Sequence, residues 1–182
     1  WERYKRFYDR AAATARKLMP GVKVGVTGMF DGLRHGTGKR LQRLQETSDV
    51  VILTYYPLDG FEMRAPTTVA ADFALMLEFA GARPLLLQEV GYSSSASNAS
   101  DEARQAAFHM QAMAAWRRAG ARIPFYNLFL LHDLDTAMCR KLAQYYELAH
   151  APAFEALLCN LGLRRVDGVS RAAWQALFPG VE

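Results

Sequence analysis

The sequence predicts an α/β fold built on a parallel sheet, and three features carry that prediction. Four short apolar segments alternate with longer segments of helical periodicity. Two of them, residues 50–55 and 84–90, are apolar almost throughout, which is typical of strands covered on both faces. Glycine or proline separates most of the strands from the helices. We therefore expect a single domain over residues 1–182, in which right-handed βαβ units place the strands side by side.

The predicted elements follow one another regularly. The first half contains a helix over 1–19, a strand over 22–27, a helix over 38–46, a strand over 50–55 and a helix over 66–80. The second half contains a strand over 84–90, a helix over 101–119, a strand over 123–130 and helices over 136–150, 152–161 and 170–177. The residues expected to begin or end helices are Gly21, Pro66, Gly81, Asn98 or Ser100, Gly120 and Ser170.

The chain begins with Trp1, which already belongs to the first predicted helix. Because a natural chain seldom starts inside a helix, we expect the native N-terminus to have been processed or removed.

Composition narrows the range of functions. The chain is 51% hydrophobic and 22% charged, which is typical of a globular protein. It has no apolar run of membrane-spanning length and no signal-peptide pattern, so we expect no membrane partner. The net charge is +4, but the basic residues are spread over several helix faces without interleaved aromatic residues, so we expect no nucleic-acid partner.

The two cysteines, Cys139 and Cys159, match no metal-binding spacing and no disulfide framework. We expect both to be buried free thiols.

The glycine-rich segment 32–40 resembles a phosphate-binding loop only superficially. That motif needs glycine at position 33 and serine or threonine at position 40, and the chain has Leu33 and Arg40. No G-x-G-x-x-G pattern follows a strand either. We therefore expect no nucleotide, no other cofactor and no metal ion, and interpret the segment as a flexible active-site loop.

Polar and aromatic residues gather where the predicted strands end. In chain order they are Thr27, Met29 and Asp31, then Tyr55 and Tyr56, then Glu89 and Tyr92, then Phe129, His132 and Asp133. Because the carboxyl ends of parallel strands meet at one edge of a sheet, these residues are expected to form one site. Aromatic rings beside carboxylates suit a sugar, which has apolar faces and hydroxyl edges.

Glu89 is the strongest candidate in this set. A carboxylate at the end of a buried strand costs free energy unless it has a role. Tyr55 or Tyr56 could hold it in the ionised, nucleophilic state, although a tyrosine at a strand end is often only a packing residue. Asp59 and Glu62 are expected to be solvated charges, and His109 to be structural.

Four segments of the chain resemble the second half of a (β/α)₈-barrel glycoside hydrolase of clan A, whose retaining members use two glutamates. They are residues 20–27, the segment 49–57 with its Tyr-Tyr-Pro ending, the segment 84–92 around Glu89, and the closing segment 161–174. The resemblance implies that these are strands five, six and seven and the end of the barrel.

The resemblance also implies a role for each site residue. Glu89 would be the nucleophile, Tyr55 or Tyr56 would orient it, and Phe129 would stand where the family often has a tryptophan platform. The family's acid/base glutamate would lie upstream of residue 1. The expected partners are a carbohydrate substrate and either the missing N-terminal half-barrel or a second copy of the chain.

Two other hypotheses for the function of the chain stay open at this point. The chain could be a non-catalytic half-barrel that binds sugar or associates with itself, because an open half-barrel exposes two sheet edges. It could also be a small, complete hydrolytic domain in which Glu89 works with Asp59 or Asp133.

Overall fold

The computed structural model describes residues 1–181, whose regular structure consists mainly of eight α-helices and six β-strands. The helices are α1 (Glu2–Leu18), α2 (Asp31–Arg34), α3 (Gly38–Leu44), α4 (Val69–Ala80), α5 (Glu102–Ala119), α6 (Thr136–Tyr145), α7 (Pro152–Leu158) and α8 (Ala172–Leu177). The strands are β1 (Thr27–Met29), β2 (Val51–Tyr55), β3 (Leu58–Asp59), β4 (Glu62–Met63), β5 (Leu85–Val90) and β6 (Phe125–Leu128).

Four of the strands form one parallel sheet in the order β1-β2-β5-β6. Strands β1 and β2 are in parallel register, with Thr27 opposite Ile52 and Met29 opposite Thr54. Strands β3 and β4 form a separate antiparallel hairpin. The parallel sheet with alternating helices confirms the predicted fold class in its general form. No helix within residues 1–181 is long and apolar enough to cross a membrane.

The described chain divides into two compact units. Unit 1 comprises Trp1–Tyr55, Asp72–Glu89 and Ala119–Asn127. Unit 2 comprises Tyr56–Ala71, Val90–Arg118 and the residues from Leu128 onwards. The predicted single domain stays a prediction.

One face of the sheet in unit 1 is buried against helices. Side chains alternate between the two faces of a strand, and Val51, Leu53 and Tyr55 of β2 have no exposed surface. The Tyr55 hydroxyl donates a 2.9 Å hydrogen bond to Asp72 in α4, and its ring packs edge-on against Phe73. Leu85 and Leu87 of β5 are also fully buried. This alternation fixes which residues can face away from the helices.

The opposite side of the sheet, called the open face below, is half-buried or exposed throughout. Its residues are Thr27, Met29, Ile52, Thr54, Leu86, Gln88, Phe125 and Asn127. Phe125 is 49% exposed and Met29 is 60% exposed. The open face therefore presents apolar side chains together with four polar ones.

Unit 2 has its own core and a C-terminal segment bound by backbone hydrogen bonds. Leu163 donates its N–H to Leu130 at 3.1 Å and Arg164 donates to Leu131 at 2.9 Å. The Arg164 guanidinium lies 4.5 Å from the centre of the Trp174 ring, a cation–π contact. The closing segment that carries part of the family resemblance thus packs along the residues that follow β6.

Several predicted boundaries are wrong, for local reasons. The strand expected over 22–27 is paired only from Thr27 to Met29. Helix α5 is capped by Asp101, whose Oδ1 accepts a 2.7 Å hydrogen bond from the Arg104 N–H, and not by Asn98 or Ser100. Helix α8 begins after Arg171 with no side-chain cap, so Ser170 is not its cap. The helix expected over 136–150 ends at Tyr145.

The two cysteines form a disulfide, so the expectation of free thiols is wrong. Cys139 lies in α6 and Cys159 directly follows α7. The turn between these helices brings the two Cα atoms, 20 residues apart in sequence, to within 5.8 Å of each other. The spacing alone gave no sign of this, because it depends on how α6 and α7 pack.

Removing this disulfide should destabilise the chain. The cross-link closes a loop of 20 residues, and the chain-entropy relation gives about 3 kcal/mol for a loop of this size. We expect the variant Cys139→Ser/Cys159→Ser to lose about that much free energy of unfolding in urea denaturation. Dithiothreitol should lower the stability of the unmodified chain to the same extent and leave the double variant unchanged. Equal stability of the unmodified chain and the double variant, each with and without dithiothreitol, would contradict the disulfide.

Candidate functional site

Glu89 lies where the burial pattern of β5 breaks. Leu85 and Leu87 are buried, Leu86 is half-buried and Gln88 is exposed, as alternation requires. The next residue, Glu89, is half-buried, and Val90 is fully buried again. Two consecutive polar residues at the carboxyl end of a parallel strand are placed where such sheets hold their chemistry.

The polar residues of the open face hold this strand end in place. Thr27 Oγ1 donates a 2.5 Å hydrogen bond to Gln88 Oε1, and Asn127 Nδ2 donates to the Gln88 backbone oxygen at 2.9 Å. Three strands of unit 1 thereby converge on the residue directly before Glu89. Neither Gln88 nor Asn127 was singled out from the sequence. The signal was present, since each is a polar residue within an otherwise apolar strand.

A cavity of about 600 Å³ in unit 1 brings together three of the predicted binding residues. Thr27, Met29 and Asp31 all line it. The Asp31 carboxylate is 3.1 Å from His35 Nε2 on the next turn. The remaining lining residues are Trp1, Tyr4, Gly28, Gly32, His35, Thr37, Leu41 and Leu44. Trp1 and Tyr4 were not among the predicted site residues, because a predicted helix over 1–19 does not by itself show which of its side chains line a cavity.

The two neighbouring tyrosines have different surroundings. Tyr55 is fully buried, and its hydroxyl bonds to Asp72 on the helix-covered face of unit 1. Tyr56, in unit 2, is half-buried. Tyr55 is thus held in the core of unit 1, and the orienting role predicted for Tyr55 or Tyr56 stays a prediction.

Within unit 2, Tyr56, Gly91 and Phe129 form a close-packed group. The rings of Tyr56 and Phe129 are perpendicular, with centres 6.3 Å apart. A Cβ added at Gly91 would lie 2.5 Å from Tyr56 Cε1 and 2.7 Å from the Phe129 oxygen. Only glycine fits between these residues without displacing them. The peptide bond between Phe129 and Leu130 is cis.

Tyr92 lies in the core of unit 2. It has no exposed surface, its ring stacks on Phe108 with centres 4.7 Å apart, and its hydroxyl donates to the Arg64 oxygen at 2.7 Å. Burial raises the pKa of the Tyr92 phenol above its ordinary value. This environment favours a packing role over contact with a substrate.

Asp133 belongs to an ion-pair network in unit 2. Its carboxylate contacts Arg171 and accepts a 2.8 Å hydrogen bond from the Gly162 N–H. Arg171 also binds Glu102 at 3.0 Å, and Glu102 binds Arg165 at 2.7 Å. Burial raises the pKa of Asp133, against the opposing effect of Arg171. The carboxylate is thus held by structural partners.

The pKa of Glu102 is shifted in the opposite direction to that of Asp133. Burial acts to raise the pKa of its carboxyl, but the hydrogen bond and charge of Arg165, with the charge of Arg171, leave that pKa below its ordinary value. The Glu102 carboxylate is therefore ionised at neutral pH and bridges the two arginines.

His132 is exposed, and its Nδ1 lies 3.3 Å from the Arg165 oxygen. The side chain of its neighbour Asp133 is buried in the ion-pair network, so His132 is accessible to solvent and the Asp133 side chain is not. Within residues 1–181 no group of three or more histidine, cysteine, aspartate or glutamate side chains is arranged to hold a metal ion.

Solved structures with a similar fold are glycoside hydrolases and related enzymes. One is a GH5_18 protein from Streptomyces cattleya in complex with Manb1-4GlcNAc, with a TM-score of 0.66 and 18% identity over 97% of this chain and 41% of that one. Another holds the CBM22-1-GH10 modules of the endo-1,4-beta-D-xylanase 10B from Clostridium thermocellum, complexed with xylohexaose, with a TM-score of 0.62 and 14% identity over 97% of this chain and 33% of that one. A third is the family 17 beta-1,3-glucanosyltransferase from Rhizomucor miehei, with a TM-score of 0.57 and 12% identity over 98% of this chain and 57% of that one.

These similarities define the fold. The chain has a parallel sheet with alternating β/α units that matches part of a TIM barrel. It spans 33% to 57% of the length of the three structures. No protein-family model and no curated protein sequence matches the chain.

Replacing Gly91 by alanine should disrupt the group around Tyr56. The added methyl group overlaps Tyr56 and the Phe129 oxygen, and overpacking of this kind costs about 1–3 kcal/mol. Thermal unfolding should show the loss. The matched control is Gly38→Ala in α3, where the nearest atom to the new Cβ is 3.6 Å away and alanine favours the helix. Equal melting temperatures for Gly91→Ala and the unmodified chain would contradict the close packing.

Removing Arg171 should cost far more stability than removing an exposed arginine. The side chains of Arg171 and Asp133 are only 8% and 5% exposed, so Arg171→Ala leaves a buried carboxylate uncompensated, at about 3–5 kcal/mol. Arg140→Ala is the control, because the Arg140 side chain is 67% exposed and its pair with Glu155 is worth less than about 1 kcal/mol. Denaturation in urea measures the free energy of unfolding of both variants. Similar small losses for the two variants would show that the network does not hold Asp133.

Proposed function

We propose that the chain is the second half of the catalytic (β/α)₈ barrel of a retaining glycoside hydrolase, with Glu89 as the nucleophile. The observation that carries this proposal is Glu89 itself, a half-buried carboxylate residue at the carboxyl end of β5 in a sheet whose fold resembles those of glycoside hydrolases. The fold similarity alone does not assign an activity, and the proposal rests on the chemistry that this carboxylate offers.

The reaction proceeds in two steps. A Glu89 oxygen forms a bond to the anomeric carbon while the bond between that carbon and the glycosidic oxygen breaks, and a second carboxyl group gives its proton to the departing oxygen. Water then attacks the same carbon, the second carboxylate takes its proton, and the glycosyl ester of Glu89 breaks. The two inversions leave the configuration of the anomeric carbon unchanged.

The second carboxyl group is proposed to come from polypeptide outside these 182 residues. A retaining enzyme needs its two carboxyl groups about 5 Å apart. Asp133 is engaged by Arg171, which argues against a self-sufficient pair with Glu89. Asp59 is an exposed residue of the β3–β4 hairpin in unit 2. The chain alone should therefore hydrolyse natural glycosides very poorly.

The other residues have supporting roles in this proposal. Tyr56 orients Glu89, and Phe129, fixed against Tyr56, offers an apolar surface to a sugar ring. Thr27, Met29 and Asp31 provide hydroxyl, thioether and carboxylate contacts at the cavity of unit 1. His132 is an exposed binding residue.

A second candidate function is carbohydrate binding without turnover. The cavity of unit 1 favours it, because Trp1 and Tyr4 line it together with the polar side chains of Thr27 and Asp31. Aromatic rings with a few polar groups are typical of sugar sites. Saturable binding of oligosaccharides that is lost in Trp1→Ala, with no turnover of any glycoside, would support this alternative.

Activated glycosides test the role of Glu89 in the chain as it is. A 2,4-dinitrophenolate leaves without needing a proton, so cleavage of 2,4-dinitrophenyl β-glucoside, β-mannoside or β-xyloside requires only the nucleophile. We expect slow turnover of at least one of them and a loss on the order of 10⁴-fold in Glu89→Ala. Azide should restore cleavage of that variant and yield a glycosyl azide of inverted configuration, since azide replaces the carboxylate.

The control is Glu62→Ala, which removes an exposed glutamate from the β3–β4 hairpin. It should keep the turnover of the unmodified chain. Full activity in Glu89→Ala would contradict the proposed nucleophile. So would a failure of the unmodified chain to cleave any of the three glycosides.

A further inference from the structure

Two of the most exposed aromatic side chains lie next to each other at the end of α6. Tyr145 is 78% exposed and Tyr146 is 56% exposed. The Tyr146 ring packs edge-on against Phe154 of α7, and Phe154 packs against Phe61 in the turn of the β3–β4 hairpin, each pair with ring centres 5.7 Å apart. These four residues, all in unit 2, are called the aromatic cluster below. Contiguous aromatic rings that are exposed to water mark a binding surface.

The backbone at the end of α6 holds the two tyrosines in place. The helix ends in a Schellman motif, in which the Leu148 N–H donates to the Ala143 oxygen at 2.8 Å and the Glu147 N–H donates to the Gln144 oxygen at 3.0 Å. Glu147 occupies the left-handed position of this motif with a φ of 59°, where glycine is usual. A residue other than glycine in this conformation costs free energy, and such residues are concentrated at functional sites.

A buried amide fixes the other half of the aromatic cluster. Asn98 is fully buried, and its Nδ2 donates 2.8 Å hydrogen bonds to the Phe61 oxygen and to the oxygen of Ala153, the residue before Phe154. Its Oδ1 accepts a 2.8 Å hydrogen bond from the Ser93 hydroxyl. The disulfide links α6 to the residue that follows α7. Rings that are held in this way lose little conformational freedom when a ligand binds, which favours affinity from a small surface.

The size and the surroundings of the aromatic cluster fit a sugar chain better than a protein partner. A stable protein interface takes about 20–30 residues from each side, and the cluster contributes only two well-exposed rings. Lys141, Glu147 and His150, its neighbours in sequence, are exposed and offer donors and acceptors for hydroxyl groups. Aromatic faces beside a few polar groups are typical of sugar sites.

The aromatic cluster is also connected through the chain to the proposed active site. Tyr56, which packs against Phe129, lies two residues before the β3–β4 hairpin, and the Leu58 N–H donates to the Tyr56 oxygen at 2.8 Å. The hairpin and the segment around Asn98 follow β2 and β5, which are the inner strands of the sheet. Both segments are therefore distant in sequence from β1, an edge strand to which further barrel strands would be added.

We propose that the aromatic cluster binds an oligosaccharide at sugar units beyond the one that reacts with Glu89. The apolar face of a sugar ring lies against the Tyr145 ring, and the neighbouring polar side chains bind its hydroxyl groups. The inference rests on the proposed function for the class of its ligand, and it adds that the substrate is a chain of several sugar units.

Isothermal titration calorimetry with cellohexaose, mannohexaose and xylohexaose measures this binding. We expect at least one of them to bind the unmodified chain, with a dissociation constant that rises about tenfold or more in Tyr145→Ala. Tyr145→Phe keeps the ring and should keep the affinity. The matched control is Phe7→Ala, which removes a 65% exposed ring from α1 and should leave the affinity unchanged. Because both positions are exposed, all three variants should keep the circular dichroism spectrum of the unmodified chain.

Turnover of the 2,4-dinitrophenyl glycosides separates this inference from the proposed nucleophile. Each of these substrates carries one sugar unit, so Tyr145→Ala should leave both kcat and KM for them unchanged. Hexasaccharide binding that depends on Tyr145, without turnover of any aryl glycoside, would contradict the nucleophile and support the binding surface.

Three results would overturn the inference and leave the nucleophile untouched. They are the absence of binding to all three hexasaccharides, an unchanged affinity in Tyr145→Ala, and an equal loss of affinity in Phe7→Ala. A loss in Tyr145→Phe as large as that in Tyr145→Ala would contradict the contact between the sugar and the ring.

Discussion

The alternation of side chains in β2 and β5 determines most of what the structure of unit 1 can do. Val51, Leu53 and Tyr55 face the helices and are fully buried, and the Tyr55 hydroxyl is tied to Asp72 in α4. Because a strand has only two faces, the residues between them must lie on the open face. Burial of one face at about 25 cal/mol per Å² of apolar surface stabilises this arrangement, and a shift of register by one residue would reverse it. The accessibility of Gln88 follows from it, whereas Glu89 is half-buried at a position that strict alternation would place among the buried residues.

The same constraint separates residues that support the fold from residues available for chemistry. Tyr55, Tyr92 and Asp133 looked similar to Glu89 in the sequence, as polar residues at or near strand ends. In the structure, each is bound by a partner: Asp72 for Tyr55, the Arg64 oxygen for Tyr92, and Arg171 for Asp133. Burying a polar group without a partner costs several kcal/mol, so such pairing is the usual state of a structural polar residue. Glu89 lies where the regular burial pattern of its strand is interrupted.

The regular parts of the fold were predictable because they depend on local patterns. The apolar runs at β2 and β5 and the Pro66 and Gly81 signals around the third predicted helix were readable from neighbouring residues alone. What depends on packing was not readable. The disulfide between Cys139 and Cys159 requires α6 and α7 to be adjacent, and the cap at Asp101 depends on where α5 begins. The position of Trp1 at the cavity was not predictable either, because helical spacing does not reveal which helix face stays uncovered.

The role of Glu89 as a nucleophile is the central claim, and covalent trapping tests it most directly. A 2-deoxy-2-fluoro glycoside with a dinitrophenyl leaving group forms the glycosyl ester but slows its hydrolysis, so the intermediate accumulates. Peptide mass spectrometry of the chain after this treatment should show a single added fluoroglycosyl group on Glu89, on the peptide that contains β5. A label on any other carboxylate, or complete labelling of a Glu89→Gln variant, would contradict the claim.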